Sequence, residues 1–166
     1  MRKIVGTSLV RHLRDGFAEF GTGDIRRVFL WDGGHGYPDA EGRVVPLDQL
    51  ARPFCLVQVA DSDAQAATLA SAGSLVQDQY DVLVHVFCRP PEASSYEFET
   101  LPEAIKQDLA GADVEFLDPD QDPPAPVDRA TPERVTRTGS AGRGLADPLY
   151  LYRSTIRLRY VFYRAA

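Results

Sequence analysis

The chain has few reactive or soft side chains: two cysteines, one methionine, one tryptophan and three histidines in 166 residues. Cys55 and Cys88 are too few for a disulfide framework, and both sit inside apolar runs, so they read as buried, reduced thiols of a cytoplasmic product. Long hydrophobic stretches are also missing. The longest run without a charge, Ala64–Gln77, is mostly Ala, Ser and Gly, and it falls short of the roughly 20 apolar residues a membrane span requires. Arg2 and Lys3 resemble a basic leader start, but Arg11, Arg14 and Asp15 arrive before an apolar core develops, so no signal peptide is read. Positive charge is in deficit, with 18 Lys+Arg against 24 Asp+Glu and a net charge of −6. A dedicated nucleic-acid binder needs a basic surface to displace counterions, and this composition argues against one.

What is present is ordinary globular material, 44% hydrophobic and 25% charged, in a length that suits one domain over 1–166. Leu9, Val10, Leu13, Phe17 and Phe20 recur at helical spacing behind Thr7 as N-cap, which predicts a helix over Thr7–Phe20 stopped by Gly21 and Gly23. Arg27–Trp31 and Pro53–Val59 read as strands, the second apolar on both faces and therefore central. Ala64–Gly73 fits either a short helix or the small-residue tip of a hairpin. Tyr80–Cys88 alternates strongly and reads as a strand. A second helix is expected over Leu101–Ala110, with Thr100 and Glu103 at capping-box spacing and Pro102 in the first turn.

Asp113–Leu117 reads as a short strand. The Pro-, Asp- and Gly-rich stretch 118–147 then reads as a surface excursion, within which Arg134–Thr138 can pair as a strand. Leu149–Tyr163 closes the chain as an alternating strand, with Ile156, Leu158, Tyr160 and Phe162 on one face and Arg157, Arg159, Val161 and Tyr163 on the other. Two helices and a mixed or antiparallel sheet make the expected fold class α+β.

Several motifs approach a chemical signature and stop short. Gly21-Thr22-Gly23 has Arg26 where a dinucleotide loop needs its third glycine, and it follows a helix rather than a strand. Gly139–Gly144 has phosphate-loop spacing, but Leu145 and Ala146 replace the required Lys and hydroxyl. Asp118, Asp120 and Asp122 alternate like EF-hand ligands, yet Pro123 stands at the glycine position and Arg129 at the closing Glu. Asp32, His35 and Asp39 offer either acid–base and metal-ligating groups or simply turn geometry. His85 is either a satisfied strand histidine or the partner of Cys55 or Cys88, and His12 lies on the polar side of the first helix without a partner signal. No catalytic residue, metal site or cofactor follows from these patterns.

The clearest functional composition is at the C-terminus. Arg153, Arg157 and Arg159 interleave with tyrosines including Tyr160 and Tyr163, and Arg and Tyr are enriched at binding hot spots. The same arginines could instead guard a sheet edge against aggregation. Six acids, Asp113, Glu115, Asp118, Asp120, Asp122 and Asp128, fall within 16 residues free of Lys and Arg, and the rest of the chain is formally neutral. An acidic segment and an arginine-rich strand suit head-to-tail contact between copies, with Asp118, Asp120 and Asp122 among the interface candidates, or a repulsive lumen that lets DNA pass without sticking.

The opening amphipathic helix, the Arg52–Val57 and Tyr80–Cys88 strands, the helix ending at Ala110 and the closing strand together resemble the tail-terminator proteins of long-tailed bacteriophages, the minor tail protein U-like group. That resemblance implies a six-fold ring that caps the tail tube in the virion, after assembly in the bacterial cytoplasm. It further implies contact with the tube protein and a head-completion or connector protein, DNA passing through the lumen without specific binding, and no membrane, cofactor or active site. Two other functions fit the sequence: a head–tail connector or head-closure subunit, and a small cytoplasmic enzyme built on Asp32, His35 and Asp39.

Overall fold

A computed structural model describes residues 1–23, 26–34, 36–38, 43–60, 64–68, 74–90, 97–140 and 152–165. The protein is α+β, with two helices packed on one face of a mixed sheet. The elements in chain order are α1 (Arg2–Gly16), β1 (Val28–Leu30), β2 (Gly36–Pro38), β3 (Val44–Pro46), β4 (Phe54–Val59), β5 (Ala64–Thr68), β6 (Ser74–Phe87), α2 (Glu97–Gly111), β7 (Val114–Asp118), β8 (Ala125–Ala130), β9 (Arg134–Ser140) and β10 (Arg153–Ala165).

The main sheet runs β1-β4-β6-β10-β9, with β5 paired to β6 beside β4. β1 and β4 are parallel and the other pairs antiparallel. β4 is an interior strand, as its two apolar faces imply. β6 and β10 form the spine, 14 and 13 residues long against the usual 5–6, and they pair along nearly their whole length. Of the ambiguous stretch 64–73, Ala64–Thr68 is strand, paired antiparallel with Ser74–Asp78, and residues 69–73 lie outside the described residues.

Period-two alternation on the spine gives the sheet two different faces. One carries Cys55 and Val57 from β4, Val82, Val84 and Val86 from β6, and Ile156, Leu158 and Tyr160 from β10, all at 0% exposure. Val5, Leu9 and Leu13 of α1 and Leu101, Ile105 and Leu109 of α2 close over it in a single core. Each fully buried side chain of this type is worth about 1.5–3 kcal/mol, so this layer dominates stability.

Three sequence expectations are corrected here. α1 starts at Arg2, not Thr7: the Thr7 hydroxyl donates back to the Lys3 carbonyl at 2.8 Å, inside the helix. Val5 begins the buried stripe, and Gly6 lets the helix approach β1, since a Cβ there would sit 2.4 Å from a Leu30 methyl. The helix also ends at Gly16, and Phe20 is reached through a separate 3₁₀ turn, Ala18–Phe20.

The second correction is α2, which already runs from Glu97 and so places Pro102 in its interior. Proline has no N–H to offer the carbonyl four residues back, here that of Phe98. Arg137 of β9 supplies the missing donor: its guanidinium reaches the Phe98 carbonyl at 3.0 Å and the Glu99 carbonyl at 3.5 Å, and it also bonds Glu103 and Ser154.

The third concerns 118–147. Up to Ser140 this stretch is built structure rather than an excursion: β8 pairs with β7, and β9 forms the sheet edge beside β10. The pairing of Arg134–Thr138 is as expected. Residues 141–147, and 149–151 of the closing strand, lie outside the described residues.

Candidate interaction surface on the open sheet face

The second face of the sheet is divided. Toward β4, Phe54, Leu56 and Phe87 form a small core with Trp31 and Leu47 from the connecting segment that crosses this side. Phe54 and Phe87 stack at 4.4 Å, and the Arg52 guanidinium lies over Phe87 at 5.7 Å. Toward β9 the same face is polar and open. Cross-strand register there aligns Thr138, Thr155 and His85; Thr136, Arg157, Leu83 and Gln58; and Arg134, Arg159 and Asp81. Arg134, Thr136, Arg157 and Arg159 are exposed, and Tyr163, further along β10, is 60% exposed.

His85 marks the boundary between the two halves. It is 6% exposed, lies edge-on to Trp31 at 5.2 Å, and bonds Gln58 Oε1 through Nε2 at 3.2 Å and the Thr155 hydroxyl through Nδ1 at 3.1 Å. With Gln58 accepting, Nε2 carries the proton and Nδ1 accepts from Thr155. Burial, reinforced by the Arg153 charge, lowers the His85 pKa to about 4, so the ring is neutral at pH 7. Gly33, at φ +92°, lets the neighbouring loop close on Gln58, whose amide nitrogen is 2.9 Å from where a Cβ would sit. His85 is therefore a satisfied strand histidine. Cys55 and Cys88 are on the opposite, helix-covered face, free and buried, and burial followed by the Glu97 charge pushes the Cys88 thiol up to about 12. No Cys–His dyad forms.

The residues singled out by sequence separate cleanly. Arg157, Arg159 and Tyr163 share the open face, with Arg153 half-buried at its inner margin beside Phe87. Arg159 is held by Asp81 at 2.9 and 3.4 Å, an exposed pair of small energetic worth. Tyr160 is not a surface residue. It points into the helix-covered core at 0% exposure, packs edge-on to Phe116 at 5.2 Å, and burial, then the Asp108 charge, raises its phenol pKa. Its position between Leu158 and Phe162 in the alternation already dictates that side.

The acids lie in the other layer. The β7–β8 hairpin packs beside α1, with Phe116 against Tyr160 and Phe162, and the Leu117 N–H donates to the Ser8 hydroxyl at 3.0 Å. At its tip Asp118 accepts from the Asp120 N–H and Gln121, Asp120 pairs with Lys3, and Asp122 is exposed. These carboxylates build a turn, and among the described residues no group of three His, Cys, Asp or Glu is placed to hold a metal. Asp32 likewise accepts the Gly34 N–H at 2.8 Å, while His35 and Asp39 lie outside the described residues. His12 bonds Asp108 at 2.7 Å and ties α1 to α2, a partnership between distant helices that the sequence did not signal. The arginine face and the acidic turn thus occupy opposite layers of the chain.

No protein-family model matches the chain, and no curated protein matches it at a significant level.

Proposed function

We propose that the protein is a structural ring subunit that caps the tail tube of a long-tailed phage, ends tube polymerisation and offers the head-joining surface. The observation that carries this reading is the asymmetry of the sheet. One face is sealed under two helices, whereas the β9–β10 half of the other presents Arg134, Arg157, Arg159 and Tyr163 to solvent. An arginine- and tyrosine-bearing sheet face with an acidic hairpin on the opposite layer is a self-complementary pair of patches on different sides of one molecule. Such patches meet head-to-tail, and head-to-tail contacts close into rings when the rotation permits. The α+β fold is the one that the tail-terminator resemblance implies. Six-fold closure, the tube and head-completion partners, virion localisation and the passage of DNA through the lumen come to this chain through that resemblance.

Light scattering coupled to sizing chromatography, with negative-stain imaging, tests the reading. A closed ring of several copies with a central channel is the expected result. A single-chain mass at all accessible concentrations overturns it.

A further inference from the structure

A second charged feature lies away from the open face, beside the C-terminal half of α1. A cleft of about 530 Å³ is lined by Arg11, Arg14, Asp15, Gly23, Arg26 and Phe29. Arg11 and Arg14 fall three residues apart on one side of the helix, and Arg26 reaches in from the segment preceding β1. Two of the three guanidiniums are positioned by neutral groups. Arg14 donates through Nε to the Val28 carbonyl at 2.9 Å and lies over the Phe29 ring at 5.8 Å, and Arg11 donates to the Glu115 carbonyl at 3.2 Å. Arg26 alone takes the carboxylate of Asp15, at 2.6 Å.

The charges do not balance. Asp15 supplies one negative charge, and the end of α1 contributes about half of one, so about one and a half positive charges remain uncompensated among the described residues. Burial of Arg14, aided by the nearby Arg26 and opposed by Asp15, lowers its pKa. Guanidinium N–H groups fixed by carbonyls on one side and open to a cleft on the other suit bidentate recognition of a tetrahedral oxyanion.

We propose that the Arg11–Arg14–Arg26 cleft is an oxyanion site that takes a phosphate group. It is independent of the ring reading, because it lies between α1 and the β1 edge of the sheet, the edge opposite β9, and uses none of the open-face residues. Free phosphate and the phosphodiester backbone share this chemistry, and the experiment separates them.

The test is a thermal-shift titration of the full chain with sodium phosphate against sodium chloride at matched ionic strength. A saturable rise is expected, about 4 °C when phosphate is ten times its Kd. In Arg11→Gln/Arg26→Gln, where Arg11 is exposed and Arg26 half-buried in a surface pair with Asp15, the phosphate-dependent rise is lost while circular dichroism stays as in wild type. Arg134→Gln/Arg157→Gln, which removes equal charge from the open face, retains it. A second arm titrates a short DNA duplex. Duplex binding that phosphate displaces and Arg11→Gln/Arg26→Gln abolishes assigns the site to backbone phosphate. A phosphate shift without duplex binding assigns it to a free phosphate group. No shift, an unsaturable one, or one that survives in Arg11→Gln/Arg26→Gln overturns the proposal as an adventitious ion only.

Discussion

The two faces of the main sheet are written by the same strands and do opposite work. Along β10, Ile156, Leu158 and Tyr160 disappear beneath α1, α2 and the β7–β8 hairpin, while their immediate neighbours Arg157 and Arg159 stand in solvent. Removing atoms from the first set therefore changes stability, and changing the second set alters what the molecule can touch. His85 stands at the seam of the second face, where a small aromatic core gives way to the polar half, and its neutral ring holds β4, β6 and β10 together through Gln58 and Thr155.

That contrast can be pressed from its strongest side first. Leu158→Ala leaves a cavity under the helices at a fully buried position and is expected to cost about 2–5 kcal/mol in urea denaturation. Arg157→Ala on the same strand should stay within about 0.5 kcal/mol. Comparable losses for the two would erase the distinction between the faces.

The seam has its own signature in pH. Because folding lowers the His85 pKa from 6.5 to about 4, the unfolded chain binds the proton more readily than the native one. The contribution is complete above the unfolded pKa, is lost as pH falls from about 6.5 toward 4, and amounts to about 3 kcal/mol over that interval. Denaturation curves between pH 7 and pH 4 should show this slope in wild type and a reduced slope in His85→Gln. An equal slope in both would mean that His85 is not the group responsible.

A smaller effect tests how the covered face is tied to the sheet edge. Arg137→Ala removes the donors that satisfy the Phe98 and Glu99 carbonyls at Pro102, with an expected loss of about 1–3 kcal/mol. Pro102→Ala returns an N–H to Phe98, so the arginine should matter less in that background. A double-mutant cycle showing no coupling would contradict the compensation.

What could be read from the amino acids alone follows from how far apart the deciding partners are. The strands of the spine were legible because period-two alternation is local, and the closing strand showed its two faces before any fold was known. Tyr160 was misjudged by giving composition precedence over that alternation. The early start of α1 was obscured by Gly6 and Thr7, which resemble a boundary until Leu30 is seen to need the space. Pro102 looked like a first-turn residue because its remedy, Arg137, lies on a different element. β7 was legible in Asp113–Leu117, where Val114 and Phe116 alternate and are buried, whereas β8 is exposed and rich in proline and charge, so it carries almost no apolar pattern. On the candidate surface, Arg157, Arg159 and Tyr163 were visible from spacing. The cleft was missed because Arg26 joins Arg11 and Arg14 only after the chain has turned, although the three-residue spacing on α1 was a usable hint.

Whether copies of this chain join through the open arginine face is decided by the solution mass of Arg157→Glu/Arg159→Glu beside wild type. The expected result is a multi-subunit ring for wild type and a single-chain mass for the variant, with unchanged circular dichroism. A variant that assembles as wild type does, or a wild type that stays a single chain, would contradict it.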